Sequence, residues 1–266
     1  MTPPTWLHWP ASWTPADLAD LVAWYDAADA NTLFDATSGG STPSNGGAVA
    51  RWEDKSGNAY HLTQATAGLR PSYQTSGINS QGALQFNSDA LARSVNLGTA
   101  DVTVAVVSNQ SAGNYRIVDK RGTGGTGTVQ GWHVKPNTAG DAFIVDEGNG
   151  DYYVTQISAS LPTTYVLLCT SDANRSIYLD GSDVTTFDSS SGTVTDANNS
   201  SVDLCVGANS NGQNTQMMNG GDIGEIVIAD AVLSTSDREK LEGYLAHKWG
   251  LESNLPSTHP FRYSAP

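Results

Sequence analysis

Three groupings of side chains in this sequence have the types and spacing to do chemistry. The turn Asp146-Glu147-Gly148-Asn149-Gly150-Asp151 gathers the oxygen donors Asp146, Glu147, Asn149 and Asp151 around two glycines, a donor set that suits calcium. Its spacing is not that of an EF-hand, and Asp and Asn in turns also cap backbone amides, which is the plainer reading. A second acidic corner is made by Asp26 and Asp29. For a sugar, Tyr115, Trp132 and Tyr152 could lie against the C–H side of the ring, with Asn209, Asn211 and Asn214 bonding its hydroxyls. Adjacent strand residues point to opposite faces, so Trp132 and one of Tyr152 and Tyr153 are expected in the core. His133 alternates with Trp132, and Gln156 lies in another strand-like run, so a base on a sheet face is conceivable. A histidine satisfied by its neighbours is the plainer alternative. The sequence has no Gly-x-Ser-x-Gly elbow, phosphate loop or paired-cysteine motif. No cofactor other than calcium is suggested.

Cys169 and Cys205 sit in apolar runs and lack the spacing of a zinc site. Buried free thiols on neighbouring strands are expected, with a disulfide as the alternative.

The composition narrows the partners. The chain has 266 residues, with 13 Lys+Arg against 27 Asp+Glu and a formal charge of −14. It lacks the basic field that gathers phosphates, so nucleic acid is not expected as a partner. The opening Met1-Thr2-Pro3-Pro4-Thr5-Trp6 has neither a cationic start nor an apolar stretch, and no run of about 18 apolar residues exists, so neither a secretory signal nor membrane insertion is expected. Of the acids 21 are Asp and 6 Glu, and there are 27 Gly, which favours turns over helix faces.

Two segments read as helices. Thr14-Pro15-Ala16-Asp17 is a capping box with proline at the first helical position, which starts a short helix. Ser234-Thr235-Ser236-Asp237 opens a longer one, with Leu241, Tyr244, Leu245 and Trp249 on a stripe and Gly250 ending it. Between them, short β-like runs at 21–25, 48–52, 83–86, 102–107, 115–119, 131–135, 142–146, 152–157, 165–170, 176–180, 202–206 and 223–228 are separated by Gly, Asn, Asp and Ser. That spacing predicts an all-β sandwich, not an alternating α/β sheet. Asp180-Gly181 predicts a tight hairpin turn. One domain is expected over 14–254, with an arm at 1–13 and a Pro-punctuated tail at 255–266. Trp6 and Trp9 in the arm could form a docking strip, although large aromatics more often lie down on their own domain.

Two sets of residues resemble a known family. Trp24-Tyr25-Asp26-Ala27, Arg51-Trp52-Glu53-Asp54-Lys55-Ser56-Gly57-Asn58, Arg70-Pro71 and Ala83-Leu84-Gln85-Phe86 are similar to the opening of laminin-G-like domains of the concanavalin A-like lectin/glucanase superfamily. Tyr178-Leu179-Asp180-Gly181, Gly221-Asp222-Ile223-Gly224-Glu225-Ile226 and Tyr244-Leu245-Ala246-His247-Lys248-Trp249-Gly250 are similar to its end. The resemblance runs in family order from about residue 18 to 261. It implies a jelly-roll β-sandwich of two antiparallel sheets.

The superfamily hosts lectins, adhesins, hydrolases and lyases, so the fold alone leaves function open. Its hydrolases resemble one another in a strand bearing Glu-x-Asp-x-x-Glu, which is absent here. In the nearest strand the alternation rule puts Asp222 and Glu225 on opposite faces, which argues against a glycosidase. Lyases of this fold need an Arg/Gln/His/Tyr constellation, and the eight Arg look scattered along the chain. Domains of this kind are common in phage structural proteins and bacterial surface proteins. The expected function is therefore a non-enzymatic, lectin-like recognition and assembly module: a virion head-fibre, decoration or tail-associated protein that binds host glycans and other virion or surface proteins. A homo-oligomer would suit that role. The alternative is a secreted carbohydrate-active enzyme, carbohydrate-binding module or calcium-dependent adhesin at an extracellular or bacterial cell surface.

Overall fold

The computed structural model describes residues 13–95, 101–110, 115–121, 130–135, 141–147, 151–157, 161–171, 175–192, 202–209 and 217–266. In chain order the strands are β1 (Leu21–Asp26), β2 (Leu33–Phe34), β3 (Arg51–Trp52), β4 (Leu62–Thr63), β5 (Ser72–Ile78), β6 (Gln81–Asn87), β7 (Leu91–Arg93), β8 (Thr103–Ser108) and β9 (Val118–Asp119). There follow β10 (Gln130–Val134), β11 (Asp141–Glu147), β12 (Tyr152–Ile157), β13 (Tyr165–Thr170), β14 (Ile177–Leu179), β15 (Ser182–Asp183), β16 (Thr185–Ser191), β17 (Leu204–Val206) and β18 (Asn219–Ala229). A single helix, α1 (Thr235–Trp249), comes after them among the described residues.

The strands form two antiparallel sheets. One is eight-stranded, in the order β15-β14-β13-β8-β18-β6-β5 with β1 also pairing to β18; the other is ten-stranded, in the order β16-β12-β11-β10-β9-β17-β7-β4-β3-β2. Every strand pairing is antiparallel, as the expected jelly-roll sandwich requires.

The core is the seam between the sheets. Tyr25, Leu84, Phe86, Val104, Val106, Leu167, Cys169, Ile223, Ile226 and Ile228 from the first sheet meet Trp52, Leu62, Leu91, Val118, Trp132, Val134, Leu204 and Val206 from the second. A second apolar layer covers the other side of the eight-stranded sheet, where Leu241, Leu245 and Trp249 of α1 pack on Ala105, Val107, Val166, Leu168 and Val227. This explains why β8 and β13 are apolar throughout their middles: every residue of both strands is buried, one face against the opposite sheet and the other beneath the helix. In β6, by contrast, Gln85 and Asn87 are exposed while Leu84 and Phe86 are buried.

The ends of α1 follow their sequence signals. Ser234 Oγ accepts from the Asp237 amide at 3.1 Å, and Gly250 closes the helix in the left-handed region at φ 65°. The amino-terminal capping box also forms, but it encloses only one 3-10 turn, Pro15–Asp17, in place of the expected short helix. Asp180 and Gly181 both take positive φ, 48° and 76°, as the hairpin turn requires. The 255–266 segment packs on the helix: Leu255 joins its apolar layer, His259 Nε2 meets Glu242 Oε2 at 3.2 Å, and Phe261 lies over Gly243. Trp13 packs edge-on to Tyr244 of the same helix, with ring centroids 6.1 Å apart. Trp6 and Trp9 lie outside the described residues.

Candidate functional site

Most polar residues in the family-like blocks tie the sandwich together. Glu225, sealed from solvent, accepts the indole N–H of Trp24 at 2.7 Å and that of Trp249 at 2.7 Å, and the Tyr244 hydroxyl at 3.2 Å. Lys248 Nζ sits 2.7 Å from both Glu225 and Asp26. Burial pushes the Glu225 carboxyl upward and Lys248 pulls it back. Lys55 bridges Asp26 at 2.9 Å and Asp29 at 3.0 Å, so this acidic corner is held by a lysine. Asp54 accepts the amides of Trp24, Ser56 and Tyr60, pinning the 54–60 turn to β1.

The bulge in β18 overturns one expectation. Register shifts between Ile223 and Glu225 where β18 pairs with β8. Ile223 and Ile226 therefore both face the seam, although three residues apart, and Asp222 and Glu225 share the outer face. The two acids are therefore not on opposed faces, as alternation alone would place them. Glu225 is enclosed beneath α1, held by Tyr244 and Trp249.

A different chemistry is assembled on the outer face of the ten-stranded sheet. The pairings Ala92 to Cys205, Cys205 to Asp119 and Asp119 to His133 place these four residues in one row across β7, β17, β9 and β10. Their chain neighbours Val118, Trp132, Val134 and Val206 point the other way, into the seam. Ala90, Ala92, Cys205 and Ala208 form a small-residue patch beside the charged groups. Arg116 and Arg121 flank β9 and Lys135 follows β10, all three buried. Arg116 Nε donates to Asp119 Oδ2 at 3.1 Å, and the Arg121 amide donates to Asp119 Oδ1 at 2.8 Å. Gly131 makes this approach feasible: at φ +128° a Cβ there would sit 2.1 Å from the Lys120 carbonyl oxygen and 2.6 Å from Arg121 Cα.

His133 is 1% exposed, and among the described residues neither ring nitrogen has a hydrogen-bond partner; Nδ1 lies 3.9 Å from Asp119 Oδ2. Burial, followed by the charges of Arg116, Arg121 and Lys135, holds its pKa well below the usual histidine value, so the ring is neutral at pH 7. Lys120 points its amine at the Val202 carbonyl, 2.7 Å away, and burial brings it down to about 8.

Several solved structures are similar to this architecture. Domain 4 of AbnA, a GH43 extracellular arabinanase from Geobacillus stearothermophilus, in complex with arabinotriose, is 15% identical with a TM-score of 0.54, covering 84% of this chain and 98% of that one. The binding domain of Paraclostridial Mosquitocidal Protein 1 is 14% identical with a TM-score of 0.50, covering 86% of this chain and 53% of that one. Trypanosoma rangeli sialidase in complex with sialic acid is 14% identical with a TM-score of 0.48; 88% of this chain is covered, but it spans about a third of that chain, 34%. No family model and no curated protein matches. The likeness is one of fold.

The anticipated site residues separate on this frame. Trp132 is 1% exposed in the seam and presents no face to a sugar, as strand alternation requires. Tyr115 is half-buried and packs on the same core. Tyr152 pairs with Asp146, and Asp146 with Gly131, so all three positions lie on the His133 face. Gln156, two residues further along β12 from Val154, belongs to that face too and is half-buried. Asn209 is half-buried just after Ala208 of the small-residue patch; Asn211 and Asn214 lie outside the described residues.

Of the calcium set, Asp146 and Glu147 are successive positions of β11, Asp151 is half-buried, and Asn149 lies outside the described residues. Among the described residues no group of three His, Cys, Asp or Glu is placed to hold a metal, and no helix is long and apolar enough to cross a membrane. Sequence reasoning missed Arg116, Asp119, Arg121 and Lys135. Pairing of the two-residue strand β9 on both sides brings them to His133, and nothing in the local pattern announces it.

Proposed function

We propose that the protein is a non-enzymatic glycan-recognition module of laminin-G-like type, and that it recognises its ligand on the outer face of the ten-stranded sheet. The observation that carries this reading is the outer face of the ten-stranded sheet, where the positions of Tyr152 and the half-buried Gln156 lie beside the buried row Cys205, Asp119 and His133, with small residues alongside. Support also comes from the fold likeness to domain 4 of AbnA, solved with arabinotriose. The resemblance to laminin-G-like domains supports display on a particle, with a phage virion surface first and a bacterial surface second. Titrating a glycan array with folded protein tests the reading, with binding expected and then lost in Gln156→Ala. If no glycan is retained, recognition of sugars is wrong. Binding to intact bacteria that disappears after periodate oxidation of their surface sugars would support display.

A second reading, an elimination enzyme acting on uronate polymers, is favoured by the placement of His133, Tyr152 and Gln156 on one face near Arg116 and Arg121. Accumulation of unsaturated uronate ends on incubation with polysaccharide would replace the first reading with this one.

A further inference from the structure

Between α1, β1 and β18 one lysine stands against two enclosed carboxylates. Lys248 Nζ is 2.7 Å from Asp26 Oδ1 and 2.7 Å from Glu225 Oε2. Aromatic rings close the space: Nζ lies 5.5 Å from the Tyr244 ring centroid and 5.6 Å from that of Trp249, and Trp24 donates to Glu225 Oε1. Both acids are buried, whereas 19% of the Lys248 side chain reaches solvent. An ammonium and a carboxylate carry two charges and the amide they form on losing water carries none. Enclosure therefore favours the amide, and the open side of the lysine lets the water leave. Direct contact supplies the proximity that such a condensation lacks between solutes.

The surrounding groups are those that this condensation needs. Lys55 Nζ is 2.9 Å from Asp26 Oδ2, so negative charge growing on that oxygen as the carbon is attacked meets a fixed ammonium. The Ala28 amide donates to Oδ1 at 3.1 Å and helps to orient the carboxylate. Glu225 is held in place by two indoles and the Tyr244 hydroxyl, and burial raises its carboxyl, which suits a group that holds a proton in transit. Lys55 also touches Asp26, but its other carboxylate is Asp29, which is a third exposed and gives it no enclosed base.

We propose that Lys248 and Asp26 join in an isopeptide bond that ties α1 to β1. The Lys248 nitrogen forms a bond to Cγ of Asp26, and the Cγ–Oδ1 bond breaks. Two protons pass from the nitrogen to Oδ1 by way of Glu225, and Oδ1 leaves as water with the electron pair of the broken bond. Glu225 ends as the carboxylate it was, and nothing is oxidised or reduced. The bond is independent of glycan recognition, and it adds closure of nearly the whole chain to what the ion contacts already hold.

The intact mass of the folded, purified protein tests the proposal, and it is expected to fall one water short of the sequence mass. Sequencing of a protease digest by mass spectrometry should then find a branched peptide joining Asp26 to Lys248. Followed from the start of cell-free synthesis, Glu225→Gln is expected to lose its water at least about tenfold more slowly than the native chain, without the loss being abolished. The thermal melt of that variant confirms that it folds. A full mass in the folded native chain overturns the proposal. So does a missing water without the branched peptide, as a succinimide at Asp180-Gly181 would give, or a branch through Lys55. Equal rates in the native chain and Glu225→Gln would overturn the part assigned to Glu225.

Discussion

Trp249, the last residue of the long helix, donates its indole N–H to Oε2 of Glu225 across 2.7 Å, in a site closed to solvent. The other oxygen of the same carboxylate takes the indole of Trp24. One acid thus fastens the helix to the middle of the eight-stranded sheet. Glu225→Gln keeps one acceptor but removes the charge that Lys248 needs, and is expected to cost about 1–3 kcal/mol. Glu225→Leu strands both indoles and leaves Lys248 with Asp26 alone, and should cost about 3–5 kcal/mol. Urea unfolding of the two variants checks the order; equal losses would mean that the charge is immaterial.

At Gly131 the constraint is steric and conformational together. An alanine there meets the Lys120 carbonyl at a φ that side chains rarely adopt. Gly131→Ala is expected to cost at least about 1–3 kcal/mol and to weaken glycan binding more than the Gly224→Ala control, which crowds Trp249 on the far side of the sandwich. Comparing melts and affinities of the two separates loss of fold from loss of site.

Asp180 offers a gain. Burial raises its carboxyl to about 6, although it accepts from the Val166 amide and from Asn254. Between the ordinary value of 3.8 and about 6 the folded chain binds more protons than the unfolded one, so stability falls as pH climbs through that window and stays lower above it. Asparagine tolerates the positive φ and keeps the acceptor for Val166. Asp180→Asn should therefore add about 1–2 kcal/mol at pH 7 and flatten the profile between pH 4 and 6.

His133 acts in the opposite direction. The ring faces Arg116, Arg121 and Lys135, which repel a proton, and Asp119, which attracts one; Cys205 shares its row, and Asp146 shares the face from the neighbouring strand. With its pKa lowered, the unfolded chain takes up the proton first as pH drops below the usual histidine value near 6.5. Stability from this residue is complete above that value and erodes below it. Melting temperatures from pH 7 to pH 5 should fall less steeply in His133→Gln, and parallel slopes would count against a neutral ring.

The cysteines should behave as inert thiols. Cys169 faces the seam from one sheet, Cys205 faces outward from the other, and burial raises both thiols above the ordinary range. A thiol reagent is expected to modify them only after denaturant is added, and reductant should leave the melt unchanged.

Those elements in which local chemistry agrees with tertiary context were legible in the sequence. The limits of β13 at Tyr165–Thr170 coincide with its apolar run, and the Ser234 and Gly250 signals bound the helix within a residue. Strands of two or three residues, such as Leu33–Phe34, Leu62–Thr63 and Leu91–Arg93, are too short to show a period and escaped notice. Ser72–Ile78 and Thr185–Ser191 are polar and held by pairing, so their composition resembled that of loops. The bulge at Gly224 changed parity within β18, which no alternation rule could foresee. In the same way Trp132 could be assigned to the core from its strand, whereas the cations around His133 come from separate stretches that only the register unites.

The closing segment has a practical consequence. Phe261 and His259 lie on the helix, and Trp13 touches the same helix, while the ten-stranded sheet forms the opposite side of the sandwich. A tag fused after Pro266 would stand behind the molecule. Immobilised by that tag on a sensor chip, the protein would turn its ten-stranded sheet toward the flowing analyte, whereas random amine coupling through lysines would mask part of the population by capturing it face down.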